Sequence, residues 1–239
     1  SLPTVKYLHE HASKLIICSH LGRPKNAQDK EFSLAPVAKR LSQLLDKKVE
    51  FVDDCVGKKV SDAVKKLPEK GILLLENVRF YPEEEANDKV FAKKLASNAD
   101  VFVQDGFGVV HRAHASTEAI THFLPSVAGE LLEREVDTIT NAMQNPERPL
   151  MAIVGGAKIS DKIELLEKLI PLADVIALGG AMANPFLAAQ GHDVAKSLIE
   201  KSDIPLAKEI IKKAEAETKK RQFSFFIPHD VVAAKAIDK

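Results

Sequence analysis

Short, uninterrupted apolar runs recur along this chain, and each precedes a stretch with the period of an amphipathic helix. The predicted strands lie at 14–19, 49–52, 72–75 and 101–104 in the first half, and at 151–154, 175–178 and 223–227 in the second. Apolar runs that do not alternate with polar residues are typical of strands covered on both faces. Their alternation with helices predicts parallel βαβ units, and therefore a doubly wound α/β architecture.

One helical stretch interrupts this rhythm and predicts a domain boundary. The apolar period at 129–144 ends at Asn145 and Pro146, Pro149 follows, and the next apolar run begins at once. Proline ends or kinks a helix, so we interpret this helix as a connector and hinge at 129–148. The predicted lobes are then 1–128 and 149–239. An ordinary crossover helix inside a single sheet is the alternative.

Composition excludes several classes of protein. The 34 Lys and Arg residues balance the 34 Asp and Glu residues, so the net charge gives no general attraction to nucleic acid or to anionic lipid. No apolar run approaches the roughly 20 residues that cross a bilayer. Two cysteines provide no disulfide framework and are compatible with a reducing cytosol. We expect a cytoplasmic protein that binds neither nucleic acid nor membranes.

Basic side chains follow three of the predicted strands in the first half. Arg23 comes after the first run with His20 beside it, Arg79 follows the third, and Arg112 follows the fourth with His111 beside it. In a parallel sheet, ligands bind beyond the carboxyl ends of the strands. Because an arginine fork pairs with phosphate or carboxylate, three converging arginines predict a site for a small, multiply charged anion. Solvated loop charges or structural ion pairs are the alternative.

The histidines of this region also suggest a metal site. His111, His114 and His122 are spaced loosely like metal ligands. No cysteine or carboxylate completes a recognisable ligand set, and Arg112 would place a cation beside the metal. We therefore predict no metal site in the chain.

Two glycine turns end neighbouring strands in the second half. Gly155 and Gly156 lead into a predicted helix start that Lys158 opens, with Lys162 one helical turn later. A helix start after such a turn favours an anion. Gly179 and Gly180 repeat the pattern after the next strand. The first segment lacks the spacing of a Walker A loop, and a plain tight turn is its alternative. The pair of turns predicts a flat nucleotide site.

Five segments carry a resemblance to one family, phosphoglycerate kinase. They are SHLGRP at 19–24, LENVRFY at 75–81, HRAHAS at 111–116, GGAKISDK at 155–162 and GGAMAN at 179–184. The resemblance implies two Rossmann-like lobes and reversible transfer of the acyl phosphate of 1,3-bisphosphoglycerate to Mg-ADP, giving 3-phosphoglycerate and ATP. It also implies a monomer with Mg²⁺ bound to its nucleotide.

The resemblance assigns residues to both substrates. The implied phosphoglycerate site is made of His20, Gly22, Arg23, Arg79, His111 and Arg112. The implied nucleotide site is made of Gly156, Ala157, Lys158, Lys162, Gly180 and Ala181. Lys158 is the implied catalytic residue, which follows the phosphoryl group during transfer. Ala181 and Pro185 stand where the family usually has glycine and threonine.

Two family motifs have no counterpart in the sequence. They are the Asp-x-Asn motif of an opening strand, with the arginine that follows it, and a late Gly-Gly-Gly-Asp loop. The expectation is therefore two incomplete lobes, and residues 1–239 alone are expected to show no turnover. The alternative function is a non-catalytic fragment that binds phosphorylated ligands or a partner.

Overall fold

Parallel strands alternate with helices throughout the computed structural model, which describes residues 1–26, 29–160, 162–232 and 234. The strands are β1 Lys14–Ile17, β2 Val49–Val52, β3 Gly71–Leu75, β4 Phe102–Gln104, β5 Ser126–Ala128, β6 Met151–Gly155, β7 Val175–Gly179 and β8 Ser224–Phe226. The helices are α1 Leu2–His11, α2 Ala35–Leu45, α3 Lys58–Lys66, α4 Pro82–Glu85, α5 Lys89–Ala96, α6 Glu130–Gln144, α7 Ile163–Leu169, α8 Ala183–Ala189 and α9 Asp203–Thr218. The prediction of an α/β fold with parallel sheets is confirmed.

The chain divides into two compact units, Ser1–Thr138 and Ile139–Lys239. The division falls inside α6, the helix predicted to connect the lobes. The lobe boundaries inferred from the sequence, 1–128, 129–148 and 149–239, stay predictions. None of the helices in the described ranges is long and apolar enough to span a membrane.

The first unit contains two parallel sheets rather than the single sheet that the sequence predicted. One has the order β1-β3-β2, and the other pairs β4 with β5. The central strand β3 is almost entirely buried, because α2 packs on one face while α3 and α5 pack on the other. Burial on both faces explains its continuous apolar run, which contains Ile72, Leu73 and Leu74.

The second unit has one parallel sheet with the order β6-β7-β8. Its core lies between the sheet and α7, α8 and α9, around the fully buried Ile176, Phe186 and Ile210. The opposite face of β6 is open, with Ile153 77% exposed. The expectation that every strand is covered on both faces is therefore wrong for β6 in the described part of the chain.

Candidate functional site

A cluster of basic side chains lies beyond the carboxyl ends of the strands in the first unit. His20 follows β1, Arg79 follows β3, and Arg112 follows β4. The structure brings the three close enough to interact: burial lowers the pKa of His20 below its usual value, and the positive charges of Arg79, Arg112 and His114 lower it further. Arg112 comes from the second sheet, so the expectation of one shared sheet edge is wrong even though the side chains converge.

Both arginines carry a buried hydrogen-bond donor that is not used. Nε of Arg79 and Nε of Arg112 have no hydrogen-bond partner among the described residues. Glu85 approaches Arg79 with an oxygen 3.4 Å from Nε, which allows ionic attraction but is not a hydrogen bond. A buried donor left without a partner costs about 1–3 kcal/mol. Two such donors beside one histidine therefore favour an anionic ligand that accepts from both.

A fully buried asparagine connects two arms of the cluster. The Asn77 amide donates to the carbonyl oxygens of Leu21, at 2.8 Å, and Phe32, at 2.9 Å, while its oxygen accepts from the backbone of Arg79 at 3.0 Å. Nη1 of Arg79 also donates to the carbonyl oxygen of Gly22 at 2.8 Å. These bonds fix the loop at 19–24 to the start of the segment that carries Arg79.

Glu76 stabilises the segment before Arg79 through buried hydrogen bonds. Its buried carboxylate accepts hydrogen bonds from the Ser33 hydroxyl and from the backbone N–H groups of Leu34 and Asn77, each at 2.8 Å. The bonds to Ser33 and Leu34 also fix the first turn of α2. A buried carboxylate is stable only when such donors satisfy it. Glu76 and Asn77 are not predicted as site residues, because neither differs in the sequence from an ordinary loop residue.

Two other predicted residues are exposed and do not contact this cluster. Arg23 and His111 lie at the surface, and no side-chain hydrogen bond or ion pair within the described ranges joins either of them to His20, Arg79 or Arg112. His114, which the sequence does not predict as a site residue, is near enough to lower the pKa of His20. Alternation along the HRAHAS segment explains the difference, because Arg112 and His114 turn inward while His111 and Ala113 face solvent.

Gly22 is a predicted site residue whose backbone conformation favours glycine. Its φ is +62°, and a Cβ there would clash with two carbon atoms of the Phe32 ring. We expect Gly22→Ala to destabilise the first unit by about 1–3 kcal/mol, from left-handed strain and from the displaced ring. Thermal unfolding measures the effect. Gly108→Ala is the control, since a Cβ there meets nothing within 4 Å; equal losses for the two variants would contradict the prediction.

The two glycine turns of the second unit lie side by side. The backbone N–H of Met182 donates to the carbonyl oxygen of Gly156 at 2.8 Å. Gly180 has a φ of +65°, and a Cβ there would lie 3.4 Å from the same oxygen of Gly156. Ala157, Gly180 and the neighbouring Ala181 lie at or near the surface. Together the turns form an open, small-residue surface beyond the ends of β6 and β7.

The two predicted lysines follow this surface, but not from a helix. Helix α7 begins only at Ile163, so the expectation that Lys158 opens it is wrong; Asp161 of the same motif lies outside the described residues. The segment is held instead by buried Asp203, which accepts from the backbone of Ile159 at 3.0 Å. Nζ of Lys158 lies 2.7 Å from Oε1 of Glu200, and the stem of Lys162 lies over Gly156.

The described part of the chain shows no arrangement typical of metal binding or of cysteine nucleophiles. No group of three or more His, Cys, Asp and Glu side chains there is placed to hold a metal; His122 pairs with Glu118 instead, at 2.8 Å. Burial raises the pKa of Cys18 to about 11 and that of Cys55 further, so both thiols stay protonated at neutral pH. A protonated, buried thiol is a poor nucleophile.

Comparison with known proteins identifies the family. The family described as phosphoglycerate kinase matches residues 1–239. The chain is 48% identical to the phosphoglycerate kinase of Moorella thermoacetica and 53% identical to chloroplastic phosphoglycerate kinase 1 of Arabidopsis thaliana, over 99% and 98% of its length. The structure of phosphoglycerate kinase from Coxiella burnetii covers 95% of the chain with a TM-score of 0.75 and 39% identity.

The chain spans only part of each of these relatives. It covers 63% of the Moorella protein, 48% of the Arabidopsis protein and 56% of the Coxiella chain. The similarity nevertheless extends over nearly the whole of this chain, including both the basic cluster and the two glycine turns. The chain therefore belongs to the phosphoglycerate kinase family.

Proposed function

We propose that the protein of which this chain is part is a phosphoglycerate kinase, which transfers a phosphoryl group between 1,3-bisphosphoglycerate and Mg-ADP. The observation that carries the proposal is the pair of buried, unused Nε donors on Arg79 and Arg112 beside His20. Such an arrangement suits a ligand with several negative oxygens, because charge-assisted hydrogen bonds to each arginine are about twice as strong as neutral ones.

We assign phosphoglycerate binding to the first unit. Arg79 and Arg112 supply the buried donors, and His20 supplies a third group whose pKa a bound anion would raise. Arg23 and His111, which are exposed and form no hydrogen bond or ion pair with this cluster in the described residues, are assigned to the same ligand on the resemblance alone. Gly22 contributes through its backbone, whose carbonyl oxygen orients Arg79.

We assign the nucleotide to the two glycine turns of the second unit. Gly156, Ala157, Gly180 and Ala181 present backbone and small side chains, so a ligand can approach closely there. Lys158 and Lys162 bring positive charge to this surface, where the phosphates of ADP or ATP would lie. Mg²⁺ enters as part of the nucleotide substrate.

The proposed reaction breaks the bond between phosphorus and the acyl oxygen of 1,3-bisphosphoglycerate, and forms a bond from phosphorus to a β-phosphate oxygen of ADP. The products are 3-phosphoglycerate and ATP. Such transfer depends on in-line positioning and on cations near the transferring group rather than on acid–base catalysis. We assign Lys158 the role of a cation near the transferring group. Hinge motion at 129–148, a monomeric state and a cytoplasmic location without nucleic-acid or membrane partners belong to the same proposal.

The test is a coupled assay on the full-length protein, together with calorimetric titration of each substrate. We expect ATP formation from 1,3-bisphosphoglycerate and Mg-ADP, and separate binding of 3-phosphoglycerate and ADP. Binding of both ligands without turnover would favour the alternative of a non-catalytic binding protein, and would contradict the proposal.

A further inference from the structure

Glu84 is an acidic residue that the fold buries close to the basic cluster. It is only 2% exposed and lies in the short helix α4. Its carboxylate accepts two hydrogen bonds from Ser116, at 2.9 Å from the backbone N–H and at 2.6 Å from the hydroxyl. A buried carboxylate that lacked these donors would be strongly destabilising, so the interaction fixes both partners.

The contacts of Glu84 extend over three successive residues of the segment that follows Arg112. Its carbonyl oxygen accepts from the backbone of Ala115 at 2.9 Å, and the methyl group of Ala115 is fully buried. Its Oε1 lies 3.8 Å from Nδ1 of His114. The backbone N–H of His114 in turn donates to the carbonyl oxygen of Arg112 at 3.0 Å. Glu84 is thus connected to Arg112 through a short, tightly bonded turn.

Glu84 is also connected to the segment that carries Arg79. Helix α4 begins immediately after Tyr81, and the backbone N–H of Glu84 donates to the Tyr81 carbonyl oxygen at 3.1 Å. Arg79 lies in the 3₁₀ turn Val78–Phe80 just before it. One residue therefore joins the two segments whose arginines have unused donors.

We propose that Glu84 is a positioning residue, which holds Arg112 and His114 against His20 and Arg79 and so determines the affinity of the site for phosphoglycerate. The identity of the ligand rests on the function proposed above, whereas the positioning itself does not. No ligand contact is assigned to Glu84, because its carboxylate accepts both hydrogen bonds from Ser116.

The titration of His20 distinguishes this role from a purely structural one. Burial lowers the pKa of His20 most. The charged groups that act on it are Arg79, Arg112 and His114, which lower the pKa further, and Glu85, which raises it. Releasing Arg112 and His114 would remove positive charge and raise the pKa of His20. If Glu84 acted only through its own negative charge, its loss would lower the pKa of His20. The positioning role and a direct charge effect therefore predict pKa shifts of opposite sign.

The experiment compares Glu84→Gln with Glu83→Gln in the full-length protein. Glu83 is the adjacent, exposed residue and its substitution makes the same charge change. His20 is titrated by NMR without ligand, and binding of 3-phosphoglycerate and ADP is measured by calorimetry. For Glu84→Gln we expect a raised pKa of His20, about tenfold weaker 3-phosphoglycerate binding, and ADP binding within about twofold. Glu83→Gln is expected to change none of the three.

Ser116→Ala is the second variant, since it removes one donor to Glu84 and keeps the carboxylate. We expect a smaller change in the same direction, and little further loss when it is combined with Glu84→Gln, because both remove one contact. If Glu84→Gln does not fold, Ser116→Ala alone decides. An unchanged or lowered pKa of His20, or equal losses for the two ligands, would overturn the proposal. If the unmodified protein binds no 3-phosphoglycerate, the proposed function fails while the His20 titration still tests Glu84.

Discussion

Replacing Arg79 with alanine is expected to weaken binding of 3-phosphoglycerate by about 30- to 150-fold, which corresponds to about 2–3 kcal/mol. The Arg79 side chain is 7% exposed and its Nε is a buried donor without a hydrogen-bond partner in the described part of the chain. Its removal would leave a multiply charged ligand under-neutralised where water cannot fully replace the guanidinium. ADP binding is expected to stay within about twofold, since we assign the nucleotide to the other unit.

Two further variants sharpen the Arg79 experiment. Arg79→Lys keeps the charge but loses the planar fork, so we expect an intermediate loss. Arg40→Ala is the matched control, because Arg40 lies exposed on α2, where it donates to Gln43. Calorimetric titration of both ligands at two salt concentrations measures the effects. A comparable loss of ADP affinity in Arg79→Ala would contradict the assignment of the two ligands to two units.

Most strands and the positions of the basic residues could be predicted from the sequence because both depend on local pattern. Strand β3 is a continuous apolar run, and Arg79 follows it directly. Strand β5 could not be predicted in this way. It has only three residues, Ser126 to Ala128, and all are exposed, so no long apolar run marks it in the sequence. Its pairing with β4 depends on tertiary contact rather than on composition.

The buried acids of both units could not be predicted, because their partners are distant in sequence. Glu84 bonds to Ser116, 32 residues away, Glu76 to Leu34, 42 residues away, and Asp203 to Ile159, 44 residues away. Nothing in the local sequence distinguishes these carboxylates from solvated ones. They nevertheless determine where the predicted site residues lie, so the sequence predicts which residue types are present and tertiary bonding determines their arrangement.

The helix start predicted at Lys158 is wrong for the same reason, a hydrogen bond between residues distant in sequence, and this changes how the role of Lys158 is interpreted. The sequence predicts that a helix begins there, which would aim the lysine through the geometry of a helix start. The structure instead fixes Ile159 through Asp203 and leaves Lys158 paired with Glu200, their side chains 47% and 40% exposed. An ion pair between partly exposed side chains contributes about 0–1 kcal/mol. Loss of the ion pair with Glu200 alone would therefore cost little.

Lys158→Ala in the full-length protein is accordingly expected to lower kcat by about 10²-fold or more, while the affinity for ADP changes only a few-fold. The reason is that the transition state spreads charge over three equatorial oxygens midway between the two substrates, so a lysine that contacts those oxygens only during transfer contributes to rate more than to binding. The exposed Lys168 on α7 provides the matched control, and Lys168→Ala is expected to retain full turnover. Steady-state kinetics with varied ADP separates kcat from KM. If kcat holds while KM for ADP rises, Lys158 only anchors the nucleotide, and the catalytic role proposed for it is wrong.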